Sequence, residues 1–70
     1  MIKIVSDLIS IAAAGASLEV DGSRYSGLEL VSVAAALKDN AYLKVHNGNS
    51  KSLSDCISIA AAKRGQVIFA

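Results

Sequence analysis

Any chemistry in this chain starts from few groups. It has one histidine, His46, one cysteine, Cys56, and six carboxylates. Asp21 and His46 follow two matching alternating segments, Leu18-Glu19-Val20 and Leu43-Lys44-Val45. A carboxylate beside an imidazole is a proton-transfer pair. Its nucleophile would have to come from Ser6, Ser23 or Ser50, and serine is equally the residue of caps and turns. A metal would need more histidines or carboxylates converging on the same point. Cys56 stands where sister segments carry Leu8 and Leu30, which makes it a core position and an inert buried thiol. Anions are the other candidate. Arg24 and Lys51 lie in polar loops that feed helix N-termini, where unpaired N–H groups attract negative charge. Asp7, Glu29 and Asp55 fall in those first turns and oppose a phosphate. The phosphate-cradling string Gly-x-x-x-x-Gly-Lys-Ser/Thr is absent. The expectation is no catalytic residue, no metal and no cofactor, with Arg24 and Lys51 as the anion-binding candidates.

The elements that position these groups repeat. Ile9-Ser10-Ile11-Ala12-Ala13-Ala14 recurs as Val31-Ser32-Val33-Ala34-Ala35-Ala36 and again as Ile57-Ser58-Ile59-Ala60-Ala61-Ala62. Asp7-Leu8, Glu29-Leu30 and Asp55-Cys56 precede the three copies. Periods in the twenties mark stacked supersecondary units. The whole chain, 1–70, is read as one domain with repeats at about 6–21, 26–46 and 52–70. Alanine favours helix and lets a helix approach a sheet closely. In the first copy Leu8, Ile11, Ala12 and Gly15 form a buried stripe. Ser26 with Glu29 is a capping box, Ser52 with Asp55 a shorter one, and Ser6 is the expected cap of the first helix.

After each helix comes a segment with one apolar face. Leu18 and Val20, Leu43 and Val45, and Val67 and Phe69 point inward; Glu19, Lys44 and Ile68 point outward. Ile2-Lys3-Ile4 has the same pattern and is expected to be a first strand. The predicted fold is α/β: an initial strand and three helix–strand repeats. They make a four-stranded parallel sheet in sequential order, with right-handed crossovers and every helix on one face. Strands covered on both faces would not carry Glu19 and Lys44.

This arrangement resembles the α/β solenoids of the leucine-rich-repeat type. The resemblance rests on Leu18-Glu19-Val20, Leu43-Lys44-Val45 and the Ile/Val-Ala-Ala-Ala helices, and it concerns architecture alone. The asparagine or cysteine ladder of that class has no counterpart at Asp21, His46 and Ala70, which follow the strands here. The resemblance implies protein binding through the open sheet face.

Stacked in register, that face shows Lys3, Glu19, Lys44 and Ile68 in one row, and Tyr42 one row earlier as the best anchor. These five are the expected protein-binding residues, although alternating charges also suit a solvated face held by its own ion pairs. Asp21 and His46 share the row beyond.

Composition limits the rest. The chain is 53% hydrophobic with a net charge of +1, so neither disorder nor a large basic field for nucleic acid is expected. One cysteine allows no internal disulfide and weakly suits a reducing, cytoplasmic setting. The longest uncharged runs, Leu8–Leu18 and then Leu30–Leu37, are far too short to cross a membrane. The expected function is non-enzymatic: a compact inhibitor or adaptor, of the kind phages or plasmids encode, that binds a protein partner. The alternative is a self-associating structural unit, and a homodimer is expected because so small a core leaves little stability to spare.

Overall fold

The structure is a computed structural model and describes residues 4–70. Its order is α1 (Val5–Ala13), β1 (Leu18–Asp21), α2 (Gly27–Ala35), β2 (Leu43–His46), α3 (Leu53–Ala62) and β3 (Val67–Phe69). A short 3-10 turn follows each of the first two strands, at Gly22–Arg24 and Gly48–Ser50. The sheet is parallel in the order β1-β2-β3. The class, the strand direction and the sequential order match the expectation. The number of strands does not: the described residues form three, not four. Met1 to Lys3, on which most of the expected first strand fell, lie outside the described residues. Ile4 is extended, but as the cap residue of α1 and not as part of the sheet.

The register puts Leu18 beside Leu43 and Leu43 beside Val67. One face of the sheet thereby gathers Leu18, Val20, Leu43 and Val45, all buried. Leu8 and Ala12 of α1, Leu30, Val33 and Ala34 of α2 and Ile59 of α3 join them in one core. Each fully buried leucine or isoleucine contributes about 2 kcal/mol. Leu30, Val31, Val33 and Leu37 read as apolar on nearly all sides of the second helix. The structure covers them, with Val31 half-buried and the others buried, because α2 lies between α1 and α3. Tyr25 is also buried, although a polar loop surrounds it in the sequence.

Five local expectations meet different fates. The capping box forms: Ser26 Oγ accepts from Glu29 N–H at 3.1 Å, and Ser26 N–H donates to Glu29 Oε1 at 2.8 Å. Ser52 Oγ accepts from Asp55 N–H at 3.2 Å. Ser6, however, is not a cap, because α1 begins at Val5 and Ile4 precedes it without a side-chain bond. Cys56 is half-buried instead of fully enclosed, since α3 has a helix on one side only. Phe69, expected to point inward, keeps 37% of its surface exposed on the edge strand.

Each helix-to-strand connection contains a residue in the left-handed region: Gly15 (φ +107°), Asn40 (φ +69°) and Gly65 (φ +77°). Glycine adopts this conformation without steric cost, and asparagine is the side chain that tolerates it best. The second connection, 36–42, is longer than those at 14–17 and 63–66. Gln66 pins it down, its Nε2 donating to Lys38 O at 2.9 Å and to Ala41 O at 2.8 Å.

Candidate functional site

Among the described residues, the helices pack on the face of Leu18, Val20, Leu43 and Val45 and leave the second face of the sheet uncovered. Glu19 pairs in register with Lys44, and Lys44 with Ile68, so the expected row is present from β1 to β3. Lys3, its expected first member, lies outside the described residues. Tyr42 precedes β2 by one position and Gln66 precedes β3 likewise. The backbone holds this earlier row in place: Tyr42 N–H donates to Ser17 Oγ at 3.0 Å, and Leu43 N–H donates to Gln66 O at 2.8 Å. Tyr42 is 40% exposed and Ile68 48%. The two share a shallow depression with Asp39, Asn40, Ala41, Gly65 and Gln66. An aromatic and an aliphatic side chain thus stand in a polar rim at one end of the open face.

The charges of the row pair differently from the expectation. Glu19 Oε1 lies 2.8 Å from His46 Nε2, a diagonal contact one row up, and not against its register neighbour Lys44. The hydrogen bond with His46 holds the Glu19 carboxyl below its ordinary range; the Lys44 charge adds a smaller effect. Diagonal neighbours on one sheet face lie within reach of long and aromatic side chains.

Asp21 is not a partner of His46, although the two are register neighbours. Its Oδ1 accepts three hydrogen bonds: from Ser23 Oγ at 2.6 Å, Asn47 Nδ2 at 2.8 Å and Ser23 N–H at 3.0 Å. These donors, Ser23 first and Asn47 next, lower its pKa to about 2. The carboxylate caps the first 3-10 turn and ties it to the second, so its role is to join two loops. The Asp21–His46 proton-transfer pair is therefore not assembled. The Asn47 bond also supplies an inter-repeat link where no asparagine ladder was expected. Asn47 occupies the left-handed region (φ +58°), one residue beyond the position compared with Asp21.

The anion candidates are separated in role. Arg24 Nε stands 3.8 Å from Asp21 Oδ2, at the end of the first 3-10 turn. Lys51 follows the second turn and has no ion pair among the described residues. A carboxylate already faces the guanidinium, and no contact joins the two cations. Among the described residues, no group of three or more His, Cys, Asp or Glu is placed to hold a metal. No helix among them is long and apolar enough to cross a membrane.

Sequence reasoning missed Asn47 and Gln66, which fix the loops around the open face. Both sit next to a strand end, and an amide there bonds to the backbone or side chains of a neighbouring turn. Comparison with family profiles, with curated proteins and with solved structures finds no match.

Proposed function

We propose that the chain is a small non-enzymatic module that binds a protein partner through the uncovered face of its sheet. The observation that carries this reading is the pairing of Tyr42 and Ile68, both substantially exposed, in one depression rimmed by polar groups. Tyrosine brings a large, stiff apolar ring with a hydroxyl, the combination that dominates binding energy in protein interfaces. Glu19, Lys44 and His46 flank the pair as charged and polar rim, which favours one orientation of a partner more than it adds affinity. Their engagement with one another suits positioning better than proton transfer. A compact inhibitor or adaptor is the form this module takes. The free thiol of Cys56 suits a reducing compartment, and the reading places the module in the cytoplasm.

The test is affinity capture from a lysate of the source cells, quantified by mass spectrometry, with wild type, Tyr42→Ala and Ile68→Ser as baits. One protein should be retained by wild type and lost by about thirtyfold or more with Tyr42→Ala, the effect of removing a hot-spot aromatic. Ile68→Ser should weaken it less. Identical capture by all three baits overturns the reading.

A further inference from the structure

Gly48 is not a glycine that the fold demands. Its backbone is outside the left-handed region, and a Cβ added to it would meet Phe69 at 3.4 and 3.5 Å, an ordinary contact. Gly22, after the preceding strand, is different: a Cβ there would lie 2.7 Å from Val45 Cγ1. With no steric reason for a glycine at 48, the chemistry of its neighbour comes forward. Asn47 precedes it, and a residue without Cβ leaves its own amide nitrogen unobstructed toward the asparagine side chain. Asn40 and Asn49 are the other two asparagines. Ala41 and Ser50 follow them, and their Cβ atoms crowd that approach.

The fold holds the 47–48 peptide at both ends. Gly48 N–H donates to Ala70 O at 3.3 Å. Asn47 O accepts from Ser50 N–H at 3.0 Å and from Ser50 Oγ at 2.9 Å. The side chain is held as well, by the bond from Asn47 Nδ2 to Asp21 Oδ1 at 2.8 Å. Bringing Gly48 N onto Asn47 Cγ means turning the peptide about the Asn47 Cα–C bond and freeing the side chain, so these bonds must open first. Asn47 is itself exposed, and water reaches it.

We propose that Asn47 is a self-modification site that deamidates through attack of the Gly48 nitrogen, and that its bonds to Asp21 and Ala70 restrain the reaction in the fold. The Gly48 nitrogen loses its proton and bonds to Asn47 Cγ. The Cγ–Nδ2 bond breaks, and Nδ2 leaves as ammonia with that proton. Water then opens the cyclic imide at either carbonyl and yields aspartate or isoaspartate. Water is taken up and ammonia released, with nothing oxidised or reduced. Asp21-Gly22 is the parallel dipeptide of the first loop, but three donors keep its carboxylate ionised, a poor centre for such an attack. The product at position 47 exchanges a donor for a second carboxylate beside Asp21, so attraction between the two loops becomes repulsion. The site stands apart from the Tyr42–Ile68 face and does not rest on its role.

Peptide mapping by mass spectrometry, after incubation in mildly alkaline water labelled with heavy oxygen, tests the proposal. In wild type unfolded with guanidinium, Asn47 should convert ahead of Asn40 and Asn49 and take up the label. The native protein should convert at least about tenfold more slowly, because a closed site reacts only through its opened fraction. Asp21→Ala should speed the native reaction about tenfold, the effect of losing a hydrogen bond to a charged group. Ile59→Val trims the buried core and leaves the bonds around Asn47 in place. Brought to equal stability with Asp21→Ala by denaturant, it should convert more slowly than that variant. Gly48→Ala should suppress conversion in the native and the unfolded chain alike, with the circular dichroism of wild type. Conversion spread evenly over the three asparagines of the unfolded chain overturns the site. A native rate equal to the unfolded one, or equal rates for Asp21→Ala and the stability-matched Ile59→Val, overturns the restraint.

Discussion

Asp21 shows how one side chain is diverted from chemistry to construction. An exposed carboxylate at a strand end is available to a proton, yet three donors converge on a single oxygen of this one. Because its pKa is about 2 in the fold and near 3.8 ordinarily, its stabilising effect is fully present above pH 4. It is lost as the pH falls from that value through about 2. In an acid titration Asp21→Asn should therefore remove part of the stability loss between pH 4 and 2, while lowering stability at pH 7. Denaturant midpoints at pH 7 and pH 2.5 give the comparison; equal wild-type and variant losses would show that the carboxylate is not engaged. Asn47→Ala should act in the same direction, because it removes one of the three donors. The identity of Asp21 as a special residue was legible in the sequence, but its partner was not. Register alone places His46 beside it, and a reach to Asn47 depends on the left-handed turn that follows β2.

At the scale of elements, the alternating segments and the alanine-rich blocks specify strands and helices well, because a period of two and an alanine stripe are local signals. Helix starts were legible where a cap residue and its reciprocal acid both occur. Ser26→Ala should cost about 1 kcal/mol, the usual loss for a cap, whereas Ser6→Ala should stay within about 0.5 kcal/mol. Chemical unfolding of the two variants separates them, and a large loss for Ser6→Ala would return the cap to that position. The misplacement of the first cap has a clear source. The repeat offset of 22 maps Ser26 onto Ile4, not onto Ser6, so the internal alignment outranks the local residue preference. The offset of 26 for the next repeat carries information as well. Most of the added length falls in the connection 36–42, which supplies Asp39, Asn40, Ala41 and Tyr42 to the depression on the open face. A change in repeat length was visible in the sequence; the wall it builds was not, because Gln66 from the third repeat holds it in position.

At the scale of the whole molecule, the described residues form a row of three units in which each strand pairs with its sequence neighbours. The fourth strand failed as an expectation because Ile4, the described residue of that segment, serves the helix instead of the sheet. The sequential order has a consequence in time. Paired residues stand 24 or 25 positions apart throughout, so no strand waits for a distant segment to close a long loop. The chain also contains no proline, and with it no prolyl bond whose isomerisation takes tens of seconds. Refolding of dilute monomer, followed by stopped-flow fluorescence of Tyr25 and Tyr42, should run to completion in a single exponential. Double-jump experiments that vary the time spent unfolded should leave its rate and amplitude unchanged. A phase lasting tens of seconds that grows with time spent unfolded would contradict this. The same shortness of range lets the middle repeat serve as the seed, since β2 and α2 are the elements flanked on both sides. Ordering would then spread outward to α1 and to α3, and the end repeats would be the first to open when native protein exchanges its amide hydrogens with solvent.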